Sequence, residues 1–213
     1  MKRTMAARGT SVWRRRLATG LALFFALQAG PALAQTVRIV ALGDSNTYGY
    51  GVPRDRTYPA QLEALLKAKG YDVTITNAGR NGDMTAEGMA RLDNAITEDT
   101  DAAIVFLGRN DWRKGVPSVA IANNLDIIVA NLRNRGIEVL LVGFDPNDFS
   151  AVAAKNGALY YPDFFDGVTL LGRKRGKYVV NGDIGRHLNG DGYEVVVGKM
   201  LPTVEQLVGM SGN

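Results

Sequence analysis

The feature that most restricts how this chain folds is an alternation of short apolar runs with segments of helical spacing. The runs are Val37 to Leu42, the stretch around Val73 and Ile75, Ala102 to Leu107, Val139 to Val142 and Leu159 to Tyr161. Each is too short for a buried helix and is bounded by turn residues, as buried strands are. Between the first two, Pro59 sits near a first turn, Leu62, Leu65 and Leu66 share a face, and Gly70 is the stop. Thr85 to about Ile96 predicts a second helix with Met89, Leu92 and Ile96 inward, and Ser118 to Asn134 a third with Ile121, Leu125, Ile128 and Leu132 inward. One short helix at most fits between Phe144 and Gly157. The last helix is predicted from about Asp191 to Val208, capped by Asn189 and kinked at Pro202, with Tyr193, Val196, Val197, Met200, Val204 and Leu207 on one side. Strand and helix alternating over short connections give a single α/β domain, a doubly wound parallel sheet flanked by helices.

The first 34 residues read differently. Lys2, Arg3, Arg8 and Arg14 to Arg16 make a basic start without an acid, Leu17 to Leu27 is apolar, and Ala32-Leu33-Ala34 offers a small-x-small cleavage site. That pattern predicts a signal peptide over residues 1–34, cleaved after Ala34, and a periplasmic or secreted domain over residues 35–213. An uncleaved anchor is the alternative, and Arg14-Arg15 hints at twin-arginine export in an otherwise poor match. Residues 35–213 keep 19 basic against 21 acidic residues, a net charge of −2. The basic balance of the whole chain therefore resides in the leader and gives no argument for nucleic acid. Cysteine is absent, which excludes a disulfide framework, thiol catalysis and cysteine metal sites. With His187 the only histidine, any histidine chemistry runs through it.

Three polar loops follow three of the predicted strands. The first is Gly43-Asp44-Ser45-Asn46-Thr47, the second Asn77 to Asp83, and the third Gly108-Arg109-Asn110-Asp111. In open α/β sheets that end of the strands is where ligands bind. Taken alone, Asp44-Ser45-Asn46 is ordinary turn chemistry. Together the loops offer what acyl transfer needs. Ser45 is a candidate nucleophile, which requires a base to take its proton. The Ser45 N–H, the Gly82 N–H and the Asn110 side-chain amide are candidate donors to an oxyanion. His187, entering the last helix, is the candidate base. Asp44 and Asp111 read as hydrogen-bond acceptors within the loops, and Tyr48, Tyr50 and Trp112 as cleft-lining or packing aromatics. Arg173 to Lys177 reads as a solvated basic turn.

In their order and spacing, these blocks and the late histidine resemble the SGNH, or GDSL-type, hydrolases, and more closely the exported arylesterase and thioesterase/lysophospholipase branch. The likeness runs from Val37 to about Val208. It implies a flavodoxin-like three-layer α/β/α fold, with Ser45 as nucleophile, Gly82 and Asn110 as oxyanion donors and His187 as base. It also implies a small ester or thioester as substrate, no metal or organic cofactor, no nucleic acid, and no stable membrane partner once the leader is removed. Two departures stand out. The family usually has an acid three residues before the histidine, where this chain has Ile184, and the nearest acid, Asp183, lies one residue further away. Either Asp183 reaches His187 across a shifted loop, or the chain works as a Ser–His dyad. The second departure is a short segment after Val142, which predicts a shallow pocket unsuited to long acyl chains. Arg109 beside Asn110 either favours an anionic substrate or pairs with Asp111. Other readings are a carbohydrate O-deacetylase and a degenerate, non-catalytic binding protein.

Overall fold

The computed structural model describes residues 35–168, 175–183 and 187–212. The leader expected over residues 1–34, the first two residues of the basic turn (Arg173 and Lys174) and position 184 lie outside the described residues.

Five strands form one parallel sheet in the order β2-β1-β3-β4-β5, where β1 is Val37–Gly43, β2 Val73–Gly79, β3 Ala102–Phe106, β4 Glu138–Val142 and β5 Leu159–Tyr161. β1 and β3 are buried nearly throughout, as expected of central strands covered on both faces. On one side α2 (Tyr58–Ala68) packs against α9 (Gly190–Ser211) and β2. Against the rest of the sheet, α6 (Ser118–Asn134) packs on β4, with α3 (Thr85–Ala90) and α7 (Ser150–Lys155) beside it. The inward residues expected of α2, α6 and α9 are buried, apart from Leu65, which packs partly buried against the core.

The order matters for the site. After β1 the chain builds β2 on one side, then crosses to build β3 on the other, so a crevice opens at the carboxyl ends of β1 and β3. The register sets those ends level, with Gly43 opposite both Gly79 and Phe106. A glycine is required at the end of β1: a Cβ on Gly43 would lie 2.0 Å from Thr47 Oγ1 and 2.7 Å from the Phe106 carbonyl oxygen. At Gly79 a Cβ would lie 2.1 Å from the Tyr48 nitrogen. The two glycines let the short helix α1 (Ser45–Tyr48) lie directly on the strand ends.

Two helices differ from expectation. The one expected over Thr85 to Ile96 divides into α3 and α4 (Leu92–Ala95), with Arg91 between them at φ −109°, ψ 10°. Leu92 and Ile96 still face the core, but the Arg91 side chain is drawn beneath the sheet end. α9 continues through Pro202 to Ser211. The proline removes the donor to the Gly198 carbonyl, which lies on an exposed turn where water is accessible. Short helices α5 (Arg109–Arg113) and α8 (Arg175–Tyr178) lie where the sequence predicted loops.

Candidate active site

Ser45 opens α1, two residues past the end of β1, and is 7% exposed. Asp44 shapes the turn. Its Oδ1 accepts the Asn46 backbone N–H at 2.8 Å and the Asn46 Nδ2 at 3.1 Å. Gly49, in the left-handed conformation at φ 83°, closes the helix after one turn. Two neighbours hold the turn in place: the Tyr193 hydroxyl donates to the Asn46 carbonyl at 2.8 Å, and Asn77 Nδ2 to the Thr47 carbonyl at 2.8 Å. Burial pushes the Asp44 carboxyl above its ordinary value, while the two Asn46 donors and the charges of Arg109 and His187 pull it down.

His187 lies in a loop pinched at its base. Val179 and Leu188 form an antiparallel bridge, flanked by bonds from the Val180 N–H to the His187 carbonyl and from the Asn189 N–H to the Tyr178 carbonyl. Within it, Asp183 Oδ2 accepts the His187 backbone N–H at 2.6 Å and lies 2.8 Å from the ring Nδ1. The other ring nitrogen, Nε2, is 2.7 Å from Ser45 Oγ. A serine, an imidazole and a carboxylate thus stand in series, with the acid four residues before the histidine. The Tyr50 ring packs on the imidazole at 4.7 Å between centroids, while remaining 45% exposed.

The other two loops meet at Asn110. Its Nδ2 donates to the Asp83 carbonyl at 2.9 Å and makes a longer contact, 3.3 Å, with Asp44 Oδ2. One amide hydrogen is thereby fixed and the second is only weakly engaged. Gly82 turns the second loop at φ +82°. A Cβ there would meet nothing within 4 Å, so the residue is required by its backbone conformation and not by crowding. Asp111 binds elsewhere: its carboxylate takes the Thr85 N–H at 2.9 Å and the Thr85 hydroxyl at 2.6 Å, tying α5 to α3. Arg109 lies with its guanidinium carbon 4.5 Å over the Phe165 ring. Trp112 is 42% exposed and meets Phe144 edge-on.

Sequence reasoning passed over Arg91. Its Nε pairs with Asp83 Oδ2 at 2.6 Å, with the two side chains only 12% and 7% exposed, and its Nη2 donates to the Gly43 carbonyl at 3.0 Å. One guanidinium therefore joins the loop carrying Gly82 to the strand end carrying Ser45. The only signal in the sequence is a charged residue near the apolar face of a predicted helix. Arg91→Met is expected to lower unfolding free energy by about 3–5 kcal/mol, because Asp83 is left buried without its partner. Denaturant unfolding measures this, and a loss under about 1 kcal/mol, the level of an exposed pair, would contradict it.

Among the described residues no group of three histidine, aspartate or glutamate side chains is placed to hold a metal, and no helix is long and apolar enough to cross a membrane.

Comparison with known proteins gives a consistent picture. The model of the GDSL-like Lipase/Acylhydrolase family matches residues 41–195. An arylesterase of Vibrio mimicus is 33% identical over 123 residues, a stretch that covers 57% of this chain and 60% of that protein. Esterase TesA of Pseudomonas aeruginosa is 33% identical over 151 residues, 64% of this chain and 74% of that protein. Among solved structures, a crystal structure of TesA superposes with a TM-score of 0.70 at 25% identity, covering 80% of this chain and 99% of its own. AlinE4, described as an SGNH-hydrolase family esterase, superposes with a TM-score of 0.62 at 28% identity, covering 82% and 98%.

Proposed function

We propose, since this chain belongs to the GDSL-like lipase/acylhydrolase family, that it is a serine ester hydrolase acting on small acyl esters or thioesters through a covalent acyl-enzyme. The observation that carries this reading is the 2.7 Å contact between Ser45 Oγ and His187 Nε2, with Asp183 on the opposite ring nitrogen. Ser45 Oγ attacks the acyl carbon as its proton passes to His187 Nε2, and the carbonyl π electrons move onto oxygen. Collapse of the tetrahedral intermediate re-forms the carbonyl and breaks the bond to the leaving alcohol or thiol, which takes the proton from Nε2. Water then repeats the sequence, giving the free acid and restoring Ser45. Asp183 holds the imidazole with its proton on Nδ1 and stabilises the imidazolium. The Ser45 N–H, the Gly82 N–H and the weakly engaged Asn110 amide hydrogen receive the oxyanion.

The preference for short acyl groups is supported by the segment after β4. Phe144, Phe149, Val152 and Ala153, the apolar side chains of that short segment, are buried in the core. Neither a deacetylase nor a non-catalytic binder is favoured, given relatives named arylesterase and esterase and a serine in contact with the sole histidine. The basic, acid-free start and the apolar run before Ala34 support export, with cleavage after Ala34.

The test is hydrolysis of p-nitrophenyl acetate, butyrate and octanoate by residues 35–213. Turnover of the acetyl and butyryl esters with a fall at octanoyl is expected. No turnover above the buffer rate on any of the three would overturn the hydrolase reading, and a preference for octanoate would overturn the short-acyl reading.

A further inference from the structure

We propose that Tyr50 is a positioning residue for His187, its ring holding the imidazole so that Nε2 stays on Ser45 Oγ in both halves of the reaction. The proposal rests on the hydrolase reading and adds a residue to its machinery. Tyr50 meets both members of the pair, through different parts of itself. Its backbone N–H donates to the Ser45 carbonyl at 3.0 Å. Its ring lies 4.7 Å from the imidazole, centroid to centroid, with the two planes tilted by 41°. Ser45 and His187 are 142 residues apart in the chain, and Tyr50 joins the two loops that carry them.

Two glycines make that placement possible. Gly49 at φ +83° ends α1, and Gly51 at φ +78° turns the chain again directly after Tyr50. A Cβ on Gly51 would lie 2.9 Å from Val180 Cγ1, and the Val180 N–H donates to the His187 carbonyl at 2.9 Å. The segment after α1 thus meets the histidine loop twice, at the imidazole through Tyr50 and at the pinched base through Gly51. Asp183 holds Nδ1 with the same oxygen that takes the His187 backbone N–H. That bond sets the tautomer and fixes one edge of the ring. The torsion that swings an imidazole about its Cβ–Cγ bond has broad minima, so a second contact on the ring narrows where Nε2 can point. Tyr50 supplies that contact while its own ring stays half in water, which leaves it little part in the core.

The experiment measures kcat and KM on p-nitrophenyl acetate, p-nitrophenyl butyrate and phenyl acetate for the wild type, Tyr50→Leu and Tyr50→Phe. His187 moves a proton in acylation and in deacylation, so kcat responds whichever step limits it. In Tyr50→Leu kcat is expected to fall about 10- to 100-fold on all three esters, the scale of a misplacement of about 1 Å at the reacting groups. KM is expected to stay within about threefold, and Tyr50→Phe, which keeps the ring, to stay within about threefold of the wild type in both constants. A second measurement separates the ring contact from the serine turn, to which the Tyr50 backbone is bonded. Tyr50→Leu is expected to slow fluorophosphonate labelling of Ser45 when His187 is present, and to change it less than about twofold in His187→Ala. A rise in KM with kcat unchanged would make Tyr50 a substrate contact and overturn the proposal. So would a loss in kcat below about threefold, or equal slowing of labelling with and without His187, which would place the effect on the serine turn. Failure of the wild type on all three esters would overturn the hydrolase reading, and this proposal with it.

Discussion

Ser45→Ala is expected to lower kcat on p-nitrophenyl acetate by about 10⁶-fold, the scale at which removing a nucleophile from a serine–histidine pair acts. The hydroxyl is the only group in the described crevice in contact with His187 Nε2, and its loss removes the covalent route, not a binding contact. KM is expected to change little. Folding should be nearly unaffected, because the backbone of the turn is held by Asp44, Tyr193 and Asn77, which the substitution leaves in place. A residual rate above the uncatalysed reaction is expected from the oxyanion donors that remain. Steady-state kinetics, with the unfolding midpoint measured in parallel, checks this. A fall below about tenfold would mean that the ester is cleaved elsewhere.

Asp183→Asn is expected to have the second-largest effect, about 10⁴-fold in kcat with the loop still folded. The reasoning follows the protons. Asp183 Oδ2 accepts both the His187 backbone N–H and the proton on Nδ1. An asparagine can keep the backbone bond through its carbonyl oxygen. If its amide then donates towards Nδ1, the ring proton moves to Nε2, and Nε2 can no longer accept from Ser45 Oγ. The base would be held in the right place with the wrong tautomer. Asp183→Ala would remove both bonds and confound tautomer with loop geometry, so asparagine is the more informative change. A loss smaller than about tenfold would favour the serine–histidine dyad over the displaced acid.

The parts of this molecule that could be read from sequence are those governed by burial and by short-range turn chemistry. β1 and β3 were legible because strands covered on both faces must be apolar throughout, and α2, α6 and α9 because their apolar positions recur at helical spacing. The three polar loops were legible as a set because each directly follows a strand, and the sheet order brings those ends together. Ser45, Gly82, Asn110 and His187 could therefore be named as candidates. What they would touch could not. Whether Asp183 reaches His187 depends on the pinch between Val179 and Leu188, a contact of single residues with no periodic pattern. The division of the helix at Arg91 was hidden because local spacing favours one helix, whereas the ion pair with Asp83 and the bond to the Gly43 carbonyl are tertiary. Gly82 was named for its N–H, and the positive φ that requires a glycine there has no signal in the sequence beyond the glycine itself. Arg109 was left between an anionic substrate and Asp111. The structure places Asp111 on Thr85 and the guanidinium on Phe165.

The central claim is that Ser45 is a nucleophile activated by His187, and covalent labelling tests it most directly. Residues 35–213 would be treated with a fluorophosphonate, digested, and the modified peptide located by mass spectrometry, beside Ser45→Ala and His187→Ala. The account predicts one adduct, on Ser45, absent from Ser45→Ala and formed far more slowly in His187→Ala. An adduct at another residue, or labelling of Ser45 at the same rate without His187, would contradict it.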